Sequence, residues 1–433
     1  MSNTSLRRQA LYTALLFSLL LLLVPRAGYV NDVNYWVNWA IYIQKNGLSN
    51  IYQLPDNNYN PLYHYILWLF GKLAGSPGRI ALYRHWLKGF TLLFDFGGAI
   101  WAASLVLGAR SRRFELSLLL LLNFAYLYNT LIWEQVDAIY TFFAFGAVVL
   151  AVQQRTVSSL CLYVLALMAK TQAIIFLPPL LLLWVPQWWQ RPGRLLQAGL
   201  AGAALALLIV APFVWGGAQN GLPRIIEINR NSVNFNPFVS MNAYNFWQLL
   251  VAGPTTTSDL TVFAGLSYHN WGLLLFSGFS GLALWPLLRR GLRQLRRPMM
   301  AEPEPPAATV SEDFSVVLLS CGLIPVLFCF FNTQMHERYW HAALLFLAAY
   351  GFVRRDYLLY IMVSVGYFLN LEDLLHHLRP FRHNSIFFKA WFVATLFGLV
   401  IIIGLIKLYR LAWWRVASAV IEVEIRPAAN AGL

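Results

Sequence analysis

Long apolar runs separated by short polar turns follow one another along almost the entire chain. A membrane-spanning helix needs about 20 mostly apolar residues, because each residue advances the helix by about 1.5 Å through a hydrocarbon layer about 30 Å thick. With run ends set by the flanking charges, about twelve runs qualify. The pattern therefore predicts an all-α integral membrane protein with about twelve transmembrane helices.

The polar stretch after the first apolar run has a helical pattern of its own. Its apolar residues recur at the i, i+3, i+4, i+7 spacing of one helix face, at Trp36, Trp39, Ala40 and Ile43. Asp32 stands where an N-cap residue belongs, and Gly47 stands where a helix commonly ends. The sequence thus predicts a helix over 33–45 that lies along the membrane surface.

A second short helix is predicted in the same loop, over 62–75, in a run too short for an easy span. The next span, 88–107, is followed by an arginine cluster within 110–113, which favours the cytoplasmic side. From an external Asp32, one crossing reaches that side and two do not. The run 62–75 is therefore predicted to be a second interfacial helix, inside a first external loop that extends over 26–87.

The same reasoning divides the rest of the chain and places both termini in the cytoplasm. The predicted parts are a cytoplasmic tip with the first transmembrane helix (1–25), the first external loop (26–87), a central transmembrane module (88–215), a second long external loop (216–268), a transmembrane helix with a basic cytoplasmic loop (269–297), a Pro/Glu-rich cytoplasmic linker (298–313) and C-terminal transmembrane helices (314–433). Arg7 and Arg8 precede the first apolar run, which lacks a small-residue cleavage site and is expected to be a retained anchor.

Composition agrees with a membrane protein. The chain is 59% hydrophobic and only 12% charged, whereas soluble domains carry about 25% charged residues. The net charge is +14, from 32 Lys and Arg against 18 Asp and Glu. Because the basic residues cluster in short loops beside apolar runs, they indicate membrane orientation, and no nucleic-acid partner is predicted. The three cysteines lie in apolar runs and predict no disulfide framework.

Polar clusters gather on one predicted face, the external one. They are Asp32, 134–137, 170–172, 334–338 and 372–382. Every strongly basic loop falls on the opposite side. This separation predicts a functional site at the extracytoplasmic membrane boundary.

Several members of these clusters have two interpretations. Asp32 is either a helix cap or a general base that deprotonates a hydroxyl. Lys170, with apolar sequence on both sides, needs a partner, which is either Asp95 in a structural ion pair or a bound phosphate. The run Glu134-Gln135-Val136-Asp137 is either a solvated turn or a sugar-binding one.

The histidine and arginine clusters are also open to two interpretations. In His336-Glu337-Arg338, the arginine either extends towards the interface or holds a phosphate with its planar donor fork. His376, His377 and His383 are spaced in a way that suggests a metal, but no carboxylate pattern accompanies them, so a solvated loop is preferred. The sequence predicts no cofactor and no defined metal site, and it leaves a divalent metal open. It also has no phosphate-binding glycine loop or nucleotide fingerprint, which favours a lipid-phosphate donor over a nucleotide sugar.

The motifs in their order resemble polytopic glycosyltransferases of the GT-C superfamily from bacteria and archaea, and more distantly the dolichyl-phosphate-glucose-dependent glucosyltransferases. The residues that carry the resemblance are Asp32, Tyr59-Asn60-Pro61-Leu62, Leu93-Phe94-Asp95, Trp133-Glu134-Gln135-Val136-Asp137, Lys170-Thr171-Gln172-Ala173, Asn242-Ala243-Tyr244-Asn245-Phe246-Trp247 and Met335-His336-Glu337-Arg338-Tyr339. The resemblance covers about 31–350. Two positions depart from it: Asn60 replaces a usual proline, and Glu134 replaces a usual glycine.

The resemblance implies an inverting transfer of a hexose, mannose or glucose, from a polyprenyl-phosphate donor to a glycan or glycolipid acceptor, in the plasma membrane of a prokaryote. It implies that Asp32 is the catalytic base. Residues expected to bind the donor phosphate are Lys170, His336, Arg338 and Arg230. Residues expected to bind the acceptor or the sugar are Glu134, Gln135, Asp137, Gln172, Trp36, Tyr59, Asn245, Trp247 and Glu337.

Other functional classes fit part of the pattern. A transporter or flippase of lipid-linked sugars would also use an intramembrane Lys170 and Asp95 beside a broken helix. The two halves of the chain show no internal repeat, however, and two large external loops are unusual in a carrier. A non-catalytic membrane scaffold is disfavoured because the polar turns gather on one side.

Overall fold

The computed structural model describes residues 3–23, 29–107, 109–231, 237–296, 312–378 and 385–424. Helices dominate the described residues. Those of the first half are α1 (Asn3–Leu23), α2 (Val30–Asn46), α3 (Pro61–Ala74), α4 (Pro77–Leu82), α5 (Lys88–Ser104), α6 (Arg110–Leu121), α7 (Phe124–Leu131), α8 (Asp137–Val152) and α9 (Thr156–Ala169). Short 3₁₀ turns at Leu48–Gln53 and Arg84–Leu87 join some of them.

The second half continues in the same way. Its helices are α10 (Leu177–Gln190), α11 (Pro192–Trp215), α12 (Leu222–Asn231), α13 (Trp247–Leu250), α14 (Tyr268–Leu295), α15 (Glu312–Phe331), α16 (His341–Arg354), α17 (Leu358–Leu375) and α18 (Ala390–Glu424). Its 3₁₀ turns are Thr171–Phe176, Glu337–Trp340 and Ile386–Phe388. A small antiparallel hairpin pairs β1 (Val262–Phe263) with β2 (Leu266–Ser267), with Val262 opposite Ser267.

Among the described residues, six helices are long and apolar enough to cross a membrane. They are Thr171–Gln190, Pro192–Trp215, Tyr268–Leu295, Phe314–Phe331, Leu358–Leu375 and Ala390–Ala412. A seventh span is possible if α6 and α7, which meet at 59°, cross together. A helical protein with membrane-length apolar helices is therefore confirmed, whereas a total of about twelve spans stays a prediction.

The segment 26–87, as far as it is described, contains the two predicted helices. All four expected face residues of α2 are buried, and α2 packs on α3, whose range matches the predicted 62–75 helix. Gly47 ends α2 with φ +87°, as expected of a glycine at a helix end. The N-cap prediction for Asp32 is wrong. The helix begins at Val30, so Asp32 lies in the first turn and its carboxylate is free for a tertiary contact.

The core centres on α15 and α16. In the span Phe314–Phe331, 94% of the residues are buried inside the protein, against 22% for the spans of α11 and α14. Helices α14, α16 and α18 surround α15. The turn that leaves α15 is therefore held by a rigid centre, and this turn carries the 334–338 cluster.

The predicted break at Lys170 is confirmed. Helix α9 ends at Ala169, Lys170 is extended (φ −158°, ψ 134°), and a 3₁₀ turn follows before α10. Parts of several expectations lie outside the described residues: the linker 298–313 apart from its last two residues, residues 232–236 of the predicted loop 216–268, residues 379–382 of the 372–382 cluster, and His383.

Candidate functional site

Four chain segments meet at one end of the helices. The first turn of α2 lies against the 132–136 turn, because Tyr29 N donates to Trp133 O (3.3 Å) and the rings of these residues stack with centroids 5.7 Å apart. This contact brings Asp32 to Gln135, whose Nε2 donates to Asp32 Oδ2 at 2.6 Å. Asp32 is half-buried and Gln135 is fully buried. The carboxylate is thus oriented by the protein while part of it stays accessible.

The 132–136 turn owes its shape to buried contacts of Glu134. This residue has φ +64°, a conformation in which a side chain is strained and which glycine adopts easily. The Glu134 carboxylate lies 2.6 Å from Lys88 Nζ and 2.7 Å from His85 Nδ1. Lys88 Nζ also donates to Leu131 O at 2.9 Å. The glutamate that replaces the glycine of the resembling family therefore fastens the turn to the start of α5.

Asp137 and Lys170 form an ion pair across the break between α9 and the following 3₁₀ turn. Their Oδ1 and Nζ atoms are 2.5 Å apart, and the Asp137 side chain is completely buried. The expected alternative partner of Lys170, Asp95, lies instead 3.5 Å from His341 Nε2, between α5 and α16. The structural pairing of Lys170 with Asp95 is therefore wrong.

The turn after α15 contributes the third charged group. Arg338 Nη1 lies 3.1 Å from Glu337 Oε1, and the Arg338 side chain is 15% exposed. Burial raises the pKa of Glu337, but the hydrogen bond from His336 and the charge of Arg338 outweigh burial, so the pKa is below its usual value. Burial and the charge of Arg338 lower the pKa of His336, which keeps the imidazole neutral.

These segments form one electrostatic unit. The Arg338 guanidinium interacts with the charges of Asp32 and Asp137, and the Lys170 ammonium interacts with Asp32 and Arg338. Lys170 Nζ and Arg338 Cζ both lie over the ring of Tyr339, 5.3 and 5.6 Å from its centroid. We call Asp32, Gln135, Asp137, Lys170 and Arg338 the polar cluster.

Three further predicted residues border the polar cluster. Gln172 is half-buried and hydrogen-bonds to Tyr339, and Glu337 pairs with Arg338. Tyr59 is half-buried; burial and the nearby charge of Asp32 raise its pKa, so its hydroxyl stays protonated. These side chains can contribute polar atoms to a ligand beside Asp32.

The structure does not bring every candidate to the cluster. Trp36 is only 2% exposed and packs its ring against Tyr59 and Tyr63. Its role is therefore to hold Tyr59 in place beside the polar cluster. Arg230 is exposed on α12, and within the described residues no hydrogen bond or ion pair links it to the cluster. The prediction that Arg230 binds the donor phosphate therefore has no support from geometry.

Asn245 and Trp247 are also in structural positions. Asn245 is fully buried, donates to Cys329 O at 3.2 Å and accepts from Trp247 N at 3.2 Å. Trp247 Nε1 donates to Phe331 O at 2.8 Å. Because their polar atoms already bind the end of α15, the prediction that they contact sugar directly is corrected here. They hold the segment before α13 on the 332–336 turn.

Sequence reasoning missed two contributions. His85 and Lys88 looked like ordinary residues at the start of an apolar run, and nothing in their spacing indicated Glu134 as a partner. The Asn60 amide, in place of the usual proline, donates to Leu167 O at 2.7 Å in the last turn of α9, next to the Lys170 break. The departure from the expected Tyr-Pro-Pro pattern was the available signal for Asn60.

No group of three His, Cys, Asp or Glu side chains that could hold a metal occurs in the described part of the chain. The polar cluster itself offers a ligand one accessible carboxylate and two cations fixed by carboxylates. Comparison of the chain with family models finds no match, and comparison with curated proteins finds none either.

Proposed function

We propose that this protein is an inverting membrane glycosyltransferase. It transfers a hexose, mannose or glucose, from a polyprenyl-phosphate donor to a lipid-linked or other extracytoplasmic acceptor at the outer face of a prokaryotic plasma membrane. The observation that carries the proposal is the half-buried carboxylate of Asp32, oriented by Gln135 and grouped with Lys170 and Arg338.

Asp32 is the catalytic base in this mechanism. Its carboxylate takes the proton from the acceptor hydroxyl while the hydroxyl oxygen attacks the anomeric carbon. The bond between that carbon and the phosphate oxygen breaks on the opposite side, so the configuration inverts. A carboxylate that is partly shielded from water and held in one orientation suits this role.

Lys170 and Arg338 stabilise the phosphate that leaves. Negative charge builds on the phosphate oxygens as the bond breaks, and fixed cations lower the energy of that charge in a water-poor site. Asp137 and Glu337 hold the two cations in place. His336, kept neutral by burial and by the charge of Arg338, stands beside the same phosphate without adding charge.

Gln135, Gln172 and Tyr59 orient hydroxyl groups of the sugars. Gln135 Oε1 is buried without a hydrogen-bond partner, so it can accept from an acceptor hydroxyl beside Asp32. Glu134 and Asp137 act on the same ligand indirectly, through the shape of the turn and through Lys170. This assignment requires no metal or cofactor.

The competing proposal, a transporter or flippase, relied on an intramembrane Lys170 and Asp95 beside a broken helix. In the structure Lys170 pairs with Asp137, and Asp95 lies 3.5 Å from His341 Nε2. This arrangement groups the charges at the end of the helices beside an accessible carboxylate, which favours transfer chemistry over passage through the bilayer.

The test is an assay of purified full-length protein in nanodiscs with radiolabelled polyprenyl-phosphate mannose or glucose and a lipid-extract acceptor. We expect transfer by the wild type and a fall of roughly 10²- to 10⁴-fold in Asp32→Asn. Asp56→Asn, an exposed carboxylate in the same loop, is the matched control and keeps full activity. Full activity of Asp32→Asn, or flipping of the lipid without transfer, overturns the proposal.

A further inference from the structure

A second polar cavity lies at the other end of the same helices. Helix α8 begins at Asp137 in the polar cluster and ends at Val152, which lines this cavity. A helix of this length, 16 residues, spans roughly 24 Å. The cavity is therefore separate from the proposed active site, on the side that the charge pattern assigns to the cytoplasm.

The cavity is strongly basic. It has a volume of about 90 Å³ and is lined by Arg191, Arg194 and Arg290 together with four glutamines, and none of the described carboxylates lines it. About 10–15 Å³ is enough for one water-sized group, so a phosphate fits. Guanidinium groups are always charged, so Arg191 and Arg194 beside one space favour an anion in it.

The polar groups of the lining are arranged around the space. Arg194 Nη1 donates to Gln154 O at 3.0 Å, which fixes the guanidinium at the rim. Gln187 Nε2 donates to Ala151 O and Leu183 O, whereas Gln187 Oε1 is buried without a hydrogen-bond partner. The cavity thus offers cationic donors for an anion and one acceptor for a neighbouring hydroxyl group.

Exposed apolar side chains occur on the helices that form the cavity, close in sequence to the lining residues. Val185 and Trp189 of α10, Leu195 of α11 and Leu292 of α14 are 42 to 58% exposed. On membrane-length helices such surfaces face lipid chains. A ligand that combines a phosphate with hydrocarbon chains matches both parts, and basic pockets between transmembrane helices on the cytoplasmic side bind anionic headgroups.

We propose that this cavity binds the phosphate of an anionic phospholipid of the inner leaflet. Arg191, Arg194 and Arg290 donate to the phosphate oxygens, Gln187 Oε1 accepts from a headgroup hydroxyl, and the acyl chains lie along α10, α11 and α14. The bound lipid joins the ends of helices that are far apart in sequence, and so stabilises the bundle.

Native mass spectrometry of the full-length protein tests the proposal. The protein in detergent is titrated with phosphatidylglycerol, with phosphatidylcholine and with inorganic phosphate, and unfolding temperature is measured in parallel. Arg191→Gln/Arg194→Gln removes two lining charges. Arg289→Gln/Arg293→Gln is the matched control, because these arginines are exposed on α14 and do not line the cavity.

We expect phosphatidylglycerol to bind and to raise the unfolding temperature, whereas phosphatidylcholine does neither. Binding to the lining variant is expected to weaken roughly 10- to 100-fold, and the control variant keeps wild-type binding. If the double variant does not fold, Arg191→Gln alone serves, since its side chain is exposed. Equal losses in both double variants show that the arginines act only as general surface charge, and equal stabilisation by inorganic phosphate shows that no lipid is needed. Either result overturns the proposal.

Discussion

Gln135 Nε2 donates a hydrogen bond to Asp32 Oδ2 at 2.6 Å, joining the turn before α8 to the first turn of α2. Gln135 is fully buried, so its amide has little freedom and holds the carboxylate in one orientation. The bond spans 103 residues of sequence. The orientation of the Asp32 carboxylate, the proposed base, therefore depends on how these two segments pack.

Replacement of Gln135 by methionine keeps the side-chain volume and removes the donor. A hydrogen bond to a charged group contributes about 1.5–3 kcal/mol, so we expect kcat to fall roughly 10- to 100-fold. KM for the donor changes little, because the phosphate contacts are elsewhere. Steady-state kinetics of transfer measures both. An unchanged kcat contradicts the positioning role.

Replacing either Lys170 or Asp137 alone leaves the other charge buried without its partner, and we expect the free energy of unfolding to fall. Lys170→Met leaves the buried Asp137 carboxylate without its cation, which destabilises a protein by about 3–5 kcal/mol. Asp137→Asn has the same effect on Lys170. Thermal unfolding of the purified variants measures both.

The double variant Lys170→Met/Asp137→Asn separates stability from activity. It recovers most of the stability because no charge is left unpaired, yet it stays inactive because the cation for the phosphate is gone. Activity in a stable double variant contradicts the assignment of Lys170 to the leaving group.

Replacement of Glu134 by glycine has two opposing effects on the stability of the protein. Glu134→Gly relieves a positive-φ strain of about 1–2 kcal/mol, but removes a buried ion pair with Lys88 whose loss costs about 3–5 kcal/mol. The second effect is larger, so we expect a lower unfolding temperature. Adding Lys88→Met restores stability above that of Glu134→Gly alone. If Glu134→Gly is as stable as the wild type, the contact with Lys88 does not hold the turn.

We expect the folded protein to become less stable at acid pH, because His336 in the 334–338 turn resists protonation. Its pKa in the folded protein is below the ordinary value of 6.5, because burial and the charge of Arg338 disfavour the protonated form; Lys170 acts in the same direction and Glu337 opposes it. Below that value the unfolded chain takes up a proton that the folded chain refuses, so stability falls as pH falls. The lowered pKa of Glu337 adds a loss of the same sign at lower pH.

His336→Gln should therefore flatten this dependence. Unfolding temperatures of the wild type and the variant, measured between about pH 7 and pH 5, provide the test. The difference in unfolding temperature between the wild type and the variant should change with pH over this interval. Parallel curves contradict the lowered pKa of His336.

Asn245→Ala distinguishes a structural role from sugar binding. It leaves the buried Cys329 carbonyl and the Trp247 amide without a partner, at a cost of about 1–3 kcal/mol for an unsatisfied buried group. We expect a lower unfolding temperature and an unchanged KM below that temperature. A raised KM for acceptor with unchanged stability restores the sugar-binding interpretation.

Part of the site could be predicted from local patterns alone. The period of the apolar residues located α2 and its buried face, and the polar interruption at Lys170 located the break between α9 and the next turn. Charge on the loops grouped Asp32 with the 134–137 and 334–338 turns. These features follow from hydrophobicity and charge over short stretches, which is why they can be read without a fold.

Which side chain meets which was decided by tertiary structure. Lys170 pairs with Asp137, and Asp95 with His341, because helix packing brings each pair together. The true start of α2 at Val30 turned Asp32 from an expected cap into a partner of Gln135. The sequence by itself determined a helical membrane protein with polar clusters at the ends of its helices. Only the packing of distant segments decided the partners within those clusters, since a contact of a few ångströms depends on helix angles that no local pattern encodes.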